Sequence, residues 1–131
     1  MAEARTYDAR SVSVIVAGQY LTGFGEDMVE VEKSEDGYEV RVGAQGDPIR
    51  ARVNDETGEI RVTLLPTSPQ VPFLDRLANS GQLVSITVIS RDPQERSSAT
   101  QAYVTKPATR TYGKSAEDRE YVFQCLDLKM T

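Results

Sequence analysis

The residues able to do chemistry in this chain are carboxylates, lysines and arginines, because it has no histidine and a single cysteine, Cys125. Without histidine the usual general base is missing, and with it the Ser-His and Cys-His nucleophile pairs. One cysteine makes neither an internal disulfide nor a cysteine-based zinc site. Carboxylate or lysine chemistry remains open. Glu30, Glu32 and Glu39 are the candidates for a glycosidase-like acid pair, which needs two carboxyl groups flanking a scissile bond. Asp36, Asp47, Asp55 and Glu56 fall in turn-like stretches, but their spacing is not that of an EF-hand loop. Turns favour Asp on their own account. Gly43 to Gly46 is glycine-rich, yet no Lys-Ser/Thr follows it and no helix begins there, so it is not a phosphate loop. Arg50 and Arg52 are too few to grip DNA in a chain of net charge −5 without a basic run. The sequence therefore assigns no catalytic, metal-binding or cofactor-binding residue.

These glutamates and arginines are placed by strand patterns. Met28 to Lys33 alternates, with Val29 and Val31 against Glu30 and Glu32. Ser34-Glu35-Asp36-Gly37 reads as a turn, and Tyr38, Val40 and Val42 then point inward with Glu39 and Arg41 outward. This is the clearest hairpin in the sequence. After the loop Gly43-Ala44-Gln45-Gly46-Asp47-Pro48, Ile49, Ala51 and Val53 alternate with Arg50 and Arg52. Asn54 to Gly58 turns into Glu59-Ile60-Arg61-Val62-Thr63-Leu64, with Ile60, Val62 and Leu64 on one face. A plain antiparallel meander of these segments puts Glu30, Glu32, Glu39, Arg41, Arg50, Arg52, Glu59 and Arg61 on one polar surface. That surface is either a solvated sheet face or the lining of a channel. A wall of mixed charge, four glutamates to four arginines in a chain of net charge −5, does not grip phosphates, so a polyanion can slide along it.

Pro66 ends the fourth strand, since proline has no N–H for the ladder. Ser68-Pro69 opens a helix, with regular structure beginning by Pro72. Phe73, Leu74 and Leu77 lie at helical spacing on its core face, joined by Ala78, and Gly81 closes it. On either side lie more strands. Residues 1–10 are polar and read as an extended arm. Ser11 to Ala17 carries Val12, Val14 and Val16 on one face, and Gly18 to Leu21 turns and returns briefly. Thr22 to Asp27 is loop. Leu83 to Ser90 is apolar on both faces and should be central and covered. Ser98 to Thr105 is the next strand. The polar connection Lys106 to Asp118 leads to a closing strand, Glu120 to Met130. There Val122, Leu126 and Leu128 face one way and Tyr121, Phe123 and Cys125 the other, with Cys125 a small buried apolar group.

At 131 residues this reads as one domain, residues 1–131, able to bury roughly two-thirds of its unfolded surface. The fold class is mainly β: an antiparallel sandwich or open barrel with one flanking helix. Its apolar runs are too short to span a bilayer. Met1-Ala2-Glu3-Ala4-Arg5 lacks a signal peptide's apolar stretch, so a cytoplasmic start is expected. A small carbohydrate-binding or other ligand-binding β-sandwich is an alternative reading, with a stacking platform for sugars poorly supported by no tryptophan and 7% aromatic residues.

Thr57-Gly58-Glu59-Ile60-Arg61-Val62-Thr63-Leu64-Leu65-Pro66-Thr67-Ser68-Pro69, followed by an apolar helix, resembles the tail tube proteins of contractile-tailed bacteriophages. Tyr7 to Gly18, Thr22-Gly23-Phe24-Gly25, Asp36 to Gly46, Lys106-Pro107 and Glu120 to Met130 resemble the same family, in order along nearly the whole chain. The resemblance implies a structural, non-enzymatic subunit of a virion tail, assembled in the host cytoplasm. It implies hexameric rings stacked within a sheath, with sheath, baseplate and tape-measure partners. It also implies a barrel whose inner face lines a DNA conduit without binding DNA specifically. The charged face is then the lumen, and Gly43, Ala44, Gln45, Gly46, Asp47 and Pro48 form a candidate contact between rings. The loop 54–58 and the N-terminal residues are further candidates. The same fold serves injection and secretion machines that carry protein, and the residues do not separate the two cargoes.

Overall fold

The structure, a computed structural model, describes residues 4–131. After a short 3-10 turn at Ala9–Ser11 come β1 (Val12–Val16), β2 (Gln19–Tyr20), β3 (Phe24–Lys33), β4 (Tyr38–Val42), β5 (Pro48–Arg52) and β6 (Gly58–Leu64). The helix α1 (Val71–Ser80) follows, and then β7 (Val84–Ser90), β8 (Glu95–Val104), β9 (Arg119–Cys125) and β10 (Lys129–Met130). One antiparallel sheet runs β2-β1-β7-β8-β9-β6-β3, with β10 on β8, and β4-β5 forms a separate two-stranded sheet. One core cluster joins Val14 and Val16 of β1 to Ile60, Val62 and Leu64 of β6, strands far apart in the sheet order. The sheet therefore curls around its core, as expected of an open barrel, and α1 packs against β8.

Alternation sets which side chains enter that core. In β6 and β9 every second residue is buried: Ile60, Val62 and Leu64, then Tyr121, Phe123 and Cys125. From α1, Leu74 is fully buried and Leu77 nearly so, while Phe73 packs half-buried against the cluster. Gly81 ends the helix at φ 65°, the left-handed cap that glycine adopts without strain. The cap at the other end differs from expectation. Gln70, not Ser68, is the N-cap residue and gives no side-chain cap bond. Ser68 is buried, and its Oγ donates to the Thr22 carbonyl at 2.6 Å while the Leu65 N–H donates to the Gly23 carbonyl at 2.7 Å. The Thr22–Gly25 and Thr67–Gln70 stretches are thus two halves of one tied junction. A Cβ on Gly23, whose φ is +70°, would lie 2.9 Å from the Ser68 Cβ, so only glycine fits there.

The expected meander is not the observed pairing. β3 skips the intervening segments and pairs directly with β6, Val29↔Val62 through Lys33↔Gly58. The clear hairpin is β4 with β5, Tyr38↔Arg52 through Val42↔Pro48, not 28–33 with 38–42. Its register sets Val40 beside Arg50, and Arg41 beside Ile49, so neither face of the hairpin is wholly apolar. Neither face can join a core. Tyr38, Val40, Val42 and Ile49, expected inward, are exposed. The hairpin stands off the end of the β3–β6 ladder, rooted where Lys33 opposes Gly58 and the Ser34 N–H meets the Thr57 carbonyl at 3.1 Å. Gly46 makes its tip turn at φ +90°, closed by Gly43 N–H to Asp47 C=O at 2.9 Å.

Two further expectations change. Leu83 lies outside β7 and is exposed, although β7 is central between β1 and β8. The closing strand breaks at Leu126. β9 stops at Cys125, Leu126 is exposed, Leu128 is fully buried, and β10 pairs elsewhere on β8. The Asp127 carboxylate makes this break, accepting from the Thr100 and Gln101 N–H groups at 3.0 Å each and from the Thr100 hydroxyl. That is where β8 bulges against β7. In the N-terminal arm, residues 1–3 lie outside the described residues. Residues 4–10 are exposed and form no strand, and Arg5 pairs with Asp92.

Candidate functional site

The β3–β6–β9 outer face gathers the charged residues of interest. Register places Glu30 beside Arg61 and Glu32 beside Glu59. It then sets Arg61 beside Val122, Glu59 beside Gln124, and Thr63 beside Glu120. Glu30, Glu32, Glu59 and Arg61 thus share one surface, as the alternation implied. Arg61 is its cation, 3.0 Å from Glu59 and 3.7 Å from Glu30. Exposed pairs of this kind contribute little to stability. Their effect is on the field, because one arginine among several carboxylates leaves the wall negative. Glu39, Arg41, Arg50 and Arg52 are not on this wall. Glu39 and Arg41 lie on one face of the hairpin and Arg50 and Arg52 on the other, where the Arg50 guanidinium stacks 4.1 Å from the Tyr38 ring centre. The eight residues therefore form three surfaces, the wall and the two faces of the hairpin, because β6 and not β4 is the neighbour of β3. Gly43 to Pro48 forms the hairpin tip and the start of β5.

Glu120, absent from the sequence-based set, extends the wall. With Glu26, Asp27, Glu30, Glu117 and Asp118 it lines an acidic cleft of about 400 Å³ that also holds Arg61. Glu120 does alternate with Tyr121, but nothing local says that β9 lies against β6. Glu26 and Asp27 reach the cleft through a bulge, in which five steps of β3, Phe24 to Val29, face two of β6, Leu64 to Val62.

Three further titratable groups, Cys125, Tyr121 and Asp55, are set by their local packing and hydrogen bonds. Cys125 is fully buried, and burial, with Asp127 and Glu59 nearby, pushes its thiol up to about 11. Burial first, then the Asp75 carboxylate 2.8 Å from its hydroxyl, raises Tyr121 above the ordinary phenol range. Asp55 is held low by the Thr57 hydroxyl and N–H, as a turn carboxylate is. Among the described residues no group of Cys, Asp or Glu is arranged to hold a metal ion, and no helix is long and apolar enough to cross a membrane.

The model of the Bacteriophage PhiTE tail tube protein family matches residues 10–131. The chain belongs to that family. Solved structures agree on the fold. A chain of the sheath/tube terminator of the extracellular contractile injection system PVC, in its extended state, is similar at a TM-score of 0.69 and 13% identity, covering 99% of each chain. The anti-feeding prophage tube-terminating cap is similar at 0.65 and 8%, covering 100% of this chain and 94% of that one. The PVC sheath-tube complex in its extended state supplies a third, at 0.64 and 13%, covering 96% and 91%. No curated protein matches the chain. Membership of the tail tube family gives the chain a structural, tail-tube-related role.

Proposed function

We propose that the chain is the repeating subunit of a phage tail tube, a single domain whose copies close into hexameric rings and stack. In this reading the β3–β6–β9 outer face lines the lumen through which the genome is ejected, and no cofactor or catalytic step is involved. The observation that carries the reading is the position of the wall. It sits beside β3, a ten-residue strand at the end of the sheet order, whose outer edge has no partner among the described residues. An unpaired edge of that length is a template for another chain. When neighbours supply the partner, the walls of successive copies become one continuous surface. Carboxylates near a phosphate repel it within about 10 Å at 0.1 M salt, so DNA slides past without being held.

The hairpin β4–β5, with exposed apolar side chains on both faces, is the contact between rings in this proposal. A free two-stranded sheet is marginally stable by itself and is covered in a stack. Sheath, baseplate and tape-measure proteins are the further partners, and the tail of the virion, put together in the host cytoplasm, is the location. A second reading has an observation of its own. Two of the similar solved structures come from an extracellular contractile injection system, so a tube or hub subunit of an injection machine that carries protein is the alternative assignment.

The test is electron microscopy of tubes combined with DNA ejection. E30K with E32K should leave tubes intact and slow ejection, most at low salt, because a small attraction repeats at every ring. Ejection at the parent rate across a salt series removes these residues from the conduit. Replacing residues 38–52 by a short Gly-Ser linker should leave a folded subunit that no longer stacks. Tubes of parental length from that variant would exclude the hairpin from the contact.

A further inference from the structure

On the opposite side of β9 from the wall, a cavity of about 610 Å³ opens between the start of α1 and the connection 110–117. Arg119 lines it. As the first residue of β9 it shares the inward face with Tyr121, Phe123 and Cys125, and it is only 7% exposed. An arginine therefore occupies a position where alternation calls for an apolar side chain. Its Nη1 donates to the Glu117 carbonyl at 2.9 Å, and the Tyr112 ring centre lies 5.5 Å from its Cζ. Among the described residues no carboxylate forms an ion pair with it. The nearby Asp75 is committed elsewhere, accepting from the Tyr121 hydroxyl at 2.8 Å and from the Arg110 guanidinium at 3.3 Å. A buried charge without a counter-charge is costly. A guanidinium also offers a fork of donors that fits a carboxylate two-pronged.

The surroundings favour an anion of low charge. Arg110, Lys114 and Arg119 line the cavity against Asp75 and Glu117, a local cationic excess in a chain of net charge −5. Val71, the first residue of α1, is also in the lining, and the helix start carries no side-chain cap. The Val71 N–H already donates to the Ser68 carbonyl at 3.3 Å and Pro72 has none, so the helix start adds only the positive end of its dipole. The two carboxylates in the lining act against a doubly charged phosphate more than against a single carboxylate. We infer that this cavity binds a protein carboxylate, with Arg119 as its two-pronged partner and Tyr112, 80% exposed, closing over it. Either a second copy of this chain or another tail protein can present that group. This second step rests on the tube reading, whereas the binding step does not.

The probe is N-acetyl-glutamate α-amide, titrated into the isolated subunit while the backbone N–H signals of the cavity-lining residues 110–117, present in parent and variant alike, are followed by NMR together with the Arg119 side-chain N–H signals of the parent. A saturable shift is expected, with none from the glutamine counterpart, and R119M should weaken binding at least about tenfold. R119M should also leave the subunit as resistant to urea as the parent, or more so, because an apolar side chain replaces an unpaired buried charge. No response to the glutamate probe, an equal response to inorganic phosphate, or a subunit destabilised by R119M would overturn the inference. Tubes separate the sources. R119M subunits that fail to assemble among themselves identify a second copy as the donor. R119M tubes of normal length that no longer join the other tail proteins identify one of those. If the parent forms no tubes, the tube reading fails while the probe result still stands.

Discussion

Gly58 marks the place where the hairpin meets the body, and G58A tests how tightly that junction is closed. Gly58 begins β6, buried between Lys33 of β3 and Cys125 of β9. A Cβ placed there would overlap the Leu128 Cδ2 and lie 2.7 Å from the Glu32 carbonyl oxygen. The first contact involves a side chain that is fully buried, and the second a backbone atom within the β3–β6 ladder. Neither moves freely, so the substitution overpacks the junction and should cost about 1–3 kcal/mol. That is a large share of the roughly 5–15 kcal/mol available to a domain. Urea unfolding of purified subunit measures it. A double-mutant cycle with L128A separates the two contacts. L128A alone should cost about 2–5 kcal/mol for the cavity, and in the double variant the Leu128 clash is gone while the carbonyl clash remains. The double should therefore be less destabilised than the sum, by about 0.5–3 kcal/mol. G58A within about 0.5 kcal/mol of the parent, or strict additivity with L128A, would refute the close approach as the reason for glycine.

L77A should cost about 2–5 kcal/mol in the same assay, since Leu77 fills the core under α1; a change near zero would place it at the surface. Y121F removes the 2.8 Å bond to Asp75 and should cost about 0.5–1.5 kcal/mol, with a neutral result showing that Asp75 is satisfied without it. Asp127 is held below its ordinary value, first by the Thr100 hydroxyl and then by backbone N–H groups. Its folded-state value is depressed, so its contribution is present above about pH 4 and is lost as pH falls through the folded value. The stability of D127N should therefore change less than that of the parent on acidification, and parallel pH curves would contradict the role of the carboxylate at the bulge. Cys125 should react with a thiol reagent in the native state only as fast as the core opens, since its thiol is fully buried and pushed up to about 11; prompt labelling would mean the core is open there.

Local sequence determined the faces of the core strands and the place of the helix α1. Val14 and Val16, Ile60, Val62 and Leu64, and Tyr121, Phe123 and Cys125 are buried as their alternation required, and Gly81 closes α1 where its position predicted. A period of two residues says which way a side chain points, and a glycine cap says where a helix stops. Both are properties of a few neighbouring residues. The tertiary structure alone decided who pairs with whom. Glu39 and Glu59 have the same pattern on paper, but β6 joins β3 while β4 leaves with β5. That choice depends on the register of β5 against β4 and on burying β6 between β3 and β9, contacts between residues far apart in sequence. The same long-range pairing brought Glu120 to the acidic wall. It also set Arg119, ordinary in a string of polar residues, into the interior beside α1. Sequence spacing carries no record of such neighbours, because the partner strand supplies the other half of the environment.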